Sequence, residues 1–134
     1  AGLMRELDRT SDAVYKAVQR IPTTLRPPYG ALTDRQAHVI AKDREMPTIL
    51  WSVDPEDWRR PGSSVVASRI VNLSQPGAII LTHDIHAPTV RAMPDALDGL
   101  TDRGFEFATV SMILGRRDWS KLRWRLPQTA QAGS

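Results

Sequence analysis

The chain has 134 residues, 41% of them hydrophobic and 25% charged, enough for one modest domain around a single core. It has no cysteine, which excludes disulfides and thiolate metal sites. No apolar run approaches the roughly 20 residues of a membrane helix, so no membrane insertion is expected. The net charge of +3 is mild, and much of it lies in Arg116, Arg117, Lys121, Arg123 and Arg125. Residues 116–134 therefore read as a basic tail, docked or disordered. Contact of that tail with nucleic acid or an anionic cell wall is the weaker alternative, and nucleic acid is not an expected partner.

In chain order, Leu3, Leu7, Val14 and Val18, with Ala13 and Ala17, recur at helical spacing and predict a helix over roughly residues 3 to 20. No basic segment followed by an apolar one precedes it, so no signal peptide is visible. A chain that opens directly into a helix is expected to be the later part of something longer. Thr23 to Arg26 is a short extended run stopped by Pro27-Pro28. Thr33 is a fitting N-cap for a helix over about 34 to 44, with Asp34 in its first turn. Pro47 to Val53 reads as a buried strand, and Asp54 to Gly62 as a polar loop. Ser63 or Ser64 should cap a helix reaching about Ser74, and Gln75-Pro76-Gly77 is a turn. Ala78 to Thr82 is a continuous apolar strand of the kind found in parallel sheets covered on both faces. A helix from about Thr89 to Arg103 stops at Gly104. Phe105 to Ala108 is the last strand, and Val110 to Leu114 a short helix.

Alternating strands and helices predict an α/β fold with a parallel sheet of about four strands. Arg26, Asp54 and His83 each follow a strand and recur at intervals of roughly 30 residues, one βα unit. In a β/α barrel, residues so placed gather at the C-terminal face of the strands, where active sites are built. Four strands cannot close a barrel, so the pattern predicts the C-terminal portion of a distorted one. A small open α/β sandwich, complete in itself, is the competing architecture.

Three clusters carry chemistry. In Arg26-Pro27-Pro28-Tyr29-Gly30, two prolines stiffen the backbone and Gly30 permits a turn. Arg26 offers a planar donor fork suited to a carboxylate. The bland alternative is a turn with a surface arginine. In Asp54-Pro55-Glu56-Asp57-Trp58, three acids and a tryptophan follow an apolar strand. Acidic loops are usually only solvated, but a tryptophan face beside acids also suits a sugar ring. In Leu81-Thr82-His83-Asp84-Ile85-His86, His83 stands where the strand meets water and is suited to proton transfer near neutral pH; the alternative is a structural histidine. The pair His83 and His86 could suggest a metal, but at a strand-to-loop junction their spacing does not bring the rings together. His38, in a helical segment, reads as packing or surface.

Together the clusters resemble the polysaccharide deacetylase family, also called the NodB homology domain or carbohydrate esterase family 4. Its R-[AP]-P-Y motif is matched by Arg26 to Tyr29, its D-x-x-D-W motif by Asp54 to Trp58, and its L-x-H-D motif by Leu81 to Asp84. The resemblance covers about residues 3 to 115, so that residues 1–115 are expected to be the C-terminal part of the catalytic domain. The family's T-F-D-D-G and H-[ST]-x-x-H motifs, which supply the base and the metal ligands, do not occur. The resemblance thus implies a divalent metal, usually zinc, whose ligands lie in a complementary N-terminal part, and no metal ligand in this chain.

It further implies metal-dependent hydrolysis of acetyl groups from a polysaccharide, most simply N-acetyl groups of peptidoglycan or chitin-type sugars, at an extracellular or cell-envelope location. His83 would be the general acid and Asp57 its partner, keeping it protonated. Tyr29 would offer a backbone N–H to the oxyanion, Arg26 would orient the base, and Leu81 and Trp58 would line the acetyl pocket. Asp54 would shape its loop. The chain alone is expected to be inactive. Alternatives are O-acetyl removal from xylan, a non-catalytic glycan-binding remnant using Trp58 and Tyr29, and a basic surface-binding module using Trp119 and Trp124.

Overall fold

A computed structural model describes residues 2–115; the basic segment 116–134, with Trp119 and Trp124, lies outside the described residues. The described residues fall into two compact units, one ending at Leu50 and the other beginning at Trp51.

In the first unit, helix α1 spans Gly2–Val18. It stops short of the predicted end because Gln19 turns left-handed, with φ 55°, and Pro22 biases the preceding residue towards extended backbone. Helix α2 spans Asp34–Arg44, as predicted. Thr33 and Gln36 form a reciprocal capping box at its start, and left-handed Glu45 ends it. Arg44 grips both carboxylate oxygens of Asp8 at 2.9 and 3.0 Å, tying α2 to α1. Ile40, Met46 and Ile49 are buried in this unit, as is Pro27.

The second unit contains α3 (Ser63–Leu73), α4 (Ala87–Asp102) and the single turn α5 (Val110–Ile113). Its core is the seam between α3 and α4. Val66, Ala67 and Ile70 meet Ala92, Ala96 and Leu100, with Val71, Ile80, Met93 and Phe105 packed around them. The helices approach closely because Gly99 has no side chain: a Cβ there would stand 2.7 Å from a methyl of Val71. Arg103 closes the end of α3 by donating to the carbonyls of Val71 and Ser74.

Two helix starts differ from the sequence reading. Neither Ser63 nor Ser64 caps α3; its N-cap is Gly62, with no side-chain cap bond and a φ of 102° that favours glycine. Helix α4 begins at Ala87, ahead of Thr89, because Pro88 fits a first turn, where an N–H is not needed.

The predicted four strands are the main correction. Among the described residues there are two isolated parallel bridges, Leu25 with Thr48 and Val53 with Ile80, and no continuous ladder. Residues 105–108 form no bridge.

Proline explains where each bridge stops. Around Leu25, its N–H donates to Pro47 O and its carbonyl accepts from Ile49 N–H. The next step on one side needs an N–H from Pro27, and on the other an N–H from Pro47. Neither residue has one. Around Val53, its N–H donates to Ile79 O and its carbonyl accepts from Leu81 N–H. The next step needs an N–H from Pro55, which again has none. On the other side, the Ile79 N–H is taken by the Ser52 hydroxyl. The apolar run Ala78 to Thr82 is accordingly half-buried, with Ile80 the member packed on the helical core.

Candidate active site

The broken second ladder creates the site. Had it continued, the His83 N–H would donate to Pro55 O. Instead, Pro55 O accepts from Arg69 of α3 at 3.0 Å, and the His83 N–H turns to a side chain, the Asp57 carboxylate, at 2.7 Å.

Asp57 is delivered there by a strained loop. The Asp54 carboxylate accepts from the Glu56 N–H at 2.8 Å, a local turn that aspartate favours. Asp57 then opens a three-residue 3-10 turn, Asp57–Arg59, between two left-handed residues, Glu56 at φ 53° and Arg60 at φ 55°. Non-glycine residues rarely hold that backbone unless their surroundings impose it. Arg69 supplies part of the restraint by also reaching the Glu56 carboxylate at 3.5 Å.

Asp57 is 1% exposed, and three donors converge on it. One carboxylate oxygen meets His83 Nδ1 at 2.8 Å. The other accepts from the His83 N–H and from the Thr89 hydroxyl at 2.9 Å. Burial pushes the Asp57 carboxyl upward, but the bonds from the His83 ring, the His83 N–H and Thr89, with the charge of His83, outweigh it and hold the group below its ordinary range. An ionised carboxylate only accepts, so Nδ1 of His83 carries hydrogen and Nε2 is left to face its surroundings. The His83 side chain is partly exposed. The pair can therefore hold a proton at Nε2 while keeping the ring fixed.

The remaining predicted residues take distinct positions. Trp58 is 50% exposed, and the Arg59 guanidinium lies over its ring at 4.8 Å. Leu81 is half-buried beside the bridge. His86 has its ring centroid 6.2 Å from that of His83, and among the described residues no three His, Cys, Asp or Glu side chains converge to hold a metal ion. His38 is a surface residue of α2.

Arg26 and Tyr29 belong to the first unit and are described there. Pro27 is buried, Arg26 is exposed, and Pro28–Gly30 forms a tight 3-10 turn in which Tyr29 is left-handed at φ 57°. Internal bonds run from Gly30, Ala31 and Leu32 to the carbonyls of Pro27, Pro28 and Gly30. Since Pro27 and Pro28 have no N–H, that of Tyr29 is the first the turn presents, where helical turns leave donors unused. The Tyr29 side chain is 99% exposed.

Thr89 and Arg69 were not anticipated from the sequence. Both are single polar residues on helices, without motif or periodicity. The one available signal was a threonine a few residues beyond His83 on the buried face of the next helix.

No family model matches the chain. It is 36% identical over 109 residues to the peptidoglycan-N-acetylglucosamine deacetylase PgdA of Listeria monocytogenes, covering 81% of this chain and 22% of that protein. It matches the structure of the peptidoglycan deacetylase PdaC from Bacillus subtilis with a TM-score of 0.70 and 34% identity, over 80% of this chain and 51% of that one. A T48 deacetylase solved with substrate matches with a TM-score of 0.79 and 32% identity, over 90% and 59% respectively. The chain therefore spans between about a fifth and three fifths of the length of these proteins.

Proposed function

Because the chain belongs to the polysaccharide deacetylases of carbohydrate esterase family 4, as a C-terminal part of their domain, we propose that it supplies the proton-donating side of a site that removes acetyl groups from a cell-envelope polysaccharide. The substrate class proposed is an N-acetylated sugar of peptidoglycan or chitin type, at the envelope or outside the cell. The single observation that carries this reading is the His83–Asp57 pair, with Nδ1 held by a buried carboxylate at 2.8 Å.

In this reading water adds to the acetyl carbonyl carbon, the carbon–nitrogen bond breaks, and acetate and a free amine leave. His83 donates the Nε2 proton to the departing nitrogen, which would otherwise leave as a poor, strongly basic anion. Asp57 keeps the ring turned and stabilises its protonated form. Tyr29 offers its backbone N–H to the oxygen of the tetrahedral intermediate. Leu81 and Trp58 line the acetyl pocket, and Arg26 orients the base. The described residues do not fit a metal site, so the divalent metal proposed for the complete enzyme, zinc by resemblance, would be held, like the base, by residues outside this chain. Residues 1–115 are proposed as the catalytic part and 116–134 as a basic tail.

The test is His83→Ala in the complete enzyme, with acetate release measured on N-acetylated oligosaccharides and on acetylated xylan. Loss of one acid at such a site is expected to cost a factor of about 10² or more. Unchanged turnover would remove His83 from the role. Preference for xylan would move the substrate to O-acetyl esters. A non-catalytic glycan-binding role predicts saccharide binding without acetate release.

A further inference from the structure

The segment that carries His83 is closed into a ring by a single side chain. From His83 the chain turns through His86, whose N–H donates to His83 O at 3.3 Å. It then enters α4, where the Thr89 N–H donates to His86 O at 2.9 Å. The Thr89 hydroxyl returns to Asp57 at 2.9 Å, on the same oxygen that accepts from the His83 N–H. Asp57 thus fastens both ends of the segment between His83 and Thr89. Thr89 itself is 2% exposed and sits on the helix that packs against α3.

We propose that Thr89 is a positioning residue for His83, orienting the Asp57 carboxylate and locking the acid-bearing segment to the helical core. The proposal rests on the deacetylase reading for its catalytic meaning, but its geometry stands within this chain. With one oxygen occupied by Thr89 and the His83 N–H, the other is directed at Nδ1. Without the hydroxyl, the segment is fastened at one end only, and the carboxylate, still buried, loses one of three donors. The other ionisable neighbours leave this carboxylate to His83 and Thr89. Glu56 pairs with Arg69 and Arg59, Asp54 binds the Glu56 N–H, and Arg60, Asp84 and Arg91 are exposed. The ring of His86 lies with its centroid 6.2 Å from that of His83.

The experiment is carbon and nitrogen NMR on the whole 134-residue chain. It follows the Asp57 carboxyl through acid titration and the His83 ring nitrogens near neutrality, in the unmodified chain, Thr89→Val and Thr89→Ser. In Thr89→Val the Asp57 midpoint should move upward, because a donor to the ionised form is lost. His83 should lose part of its preference for hydrogen on Nδ1, and Thr89→Ser should restore both. A threonine that only packs would lower thermal stability and leave both readouts unmoved, and that result overturns the proposal. In the unmodified chain, independently of any variant, the Thr89 hydroxyl proton should exchange slowly enough to give its own resonance and lose that protection as Asp57 is protonated. Fast exchange throughout overturns the proposal too. In the complete enzyme, Thr89→Val should lower kcat on the order of tenfold with KM held, as for a group felt only in the transition state. The NMR results need no turnover, so failure here is distinguishable from an active His83→Ala enzyme, which would overturn the deacetylase role instead.

Discussion

At the scale of single residues, Asp57 is both a charge partner and a staple. Its carboxyl titrates below the ordinary range in the folded chain. An acid whose folded value lies below its unfolded one stabilises the fold above the unfolded value, about 3.9 for aspartate, and loses that contribution as pH falls through the folded value. Unfolding free energy should therefore drop below about pH 4, and Asp57→Asn should flatten that drop when denaturant midpoints are compared across pH. At neutral pH the same variant should cost about 1–3 kcal/mol, since one amide oxygen cannot serve three donors and the amide N–H groups face donors. Equal midpoints at pH 7 would mean that the three bonds are replaceable. His83 and Asp57 were legible in the sequence because each follows an extended run and each falls in a motif. Thr89 was not, since a buried hydroxyl on a helix has no pattern until a partner from distant sequence is placed against it. The left-handed backbone of Tyr29 and Glu56 was equally hidden, because neither residue type favours that conformation and the surrounding turns impose it.

At the scale of elements, the helices followed in outline from periodicity: α2 begins at the cap Thr33 indicates, whereas α3 and α4 start elsewhere than their polar residues suggested. The strands did not follow, because a run of apolar residues specifies extended backbone but not the register of its partner. Register is what sets Pro27, Pro47 and Pro55 at the places where the next ladder donor is required. The closeness of α3 and α4 was also unreadable, since Gly99 resembles any mid-helix glycine until Val71 is seen against it. That contact gives a direct test. Gly99→Ala places a methyl 2.7 Å from a side chain that is branched at Cβ and cannot swing aside. It should destabilise by about 1–3 kcal/mol, although alanine is the better helix former. Adding Val71→Ala should recover part of the loss in thermal unfolding. A stabilised single variant would show that the seam has slack.

At the scale of the whole molecule, the described residues hold the His83–Asp57 pair and no cluster of three His, Cys, Asp or Glu side chains suited to a metal ion. Segment 116–134 adds Asp118 as its single residue of those types. A ligand that binds only the folded state raises its stability in proportion to occupancy. Zinc added to this chain should therefore leave its thermal midpoint unchanged in a scanning measurement; a rise would reveal a site other than any formed by three convergent ligands among the described residues.

The prolines that end both bridges have a further consequence, for association between copies. Extended segments with unpaired backbone groups invite strands from neighbouring chains, the first step towards aggregates. Here the register that would let a partner zip along residues 23–27 or 51–55 meets Pro27 or Pro55 within a step of each bridge, and Pro47 interrupts the facing segment of the first. Pro55, which ends the ladder beside His83, therefore also shortens the template that residues 51–55 offer a second copy, as Pro27 does for residues 23–27.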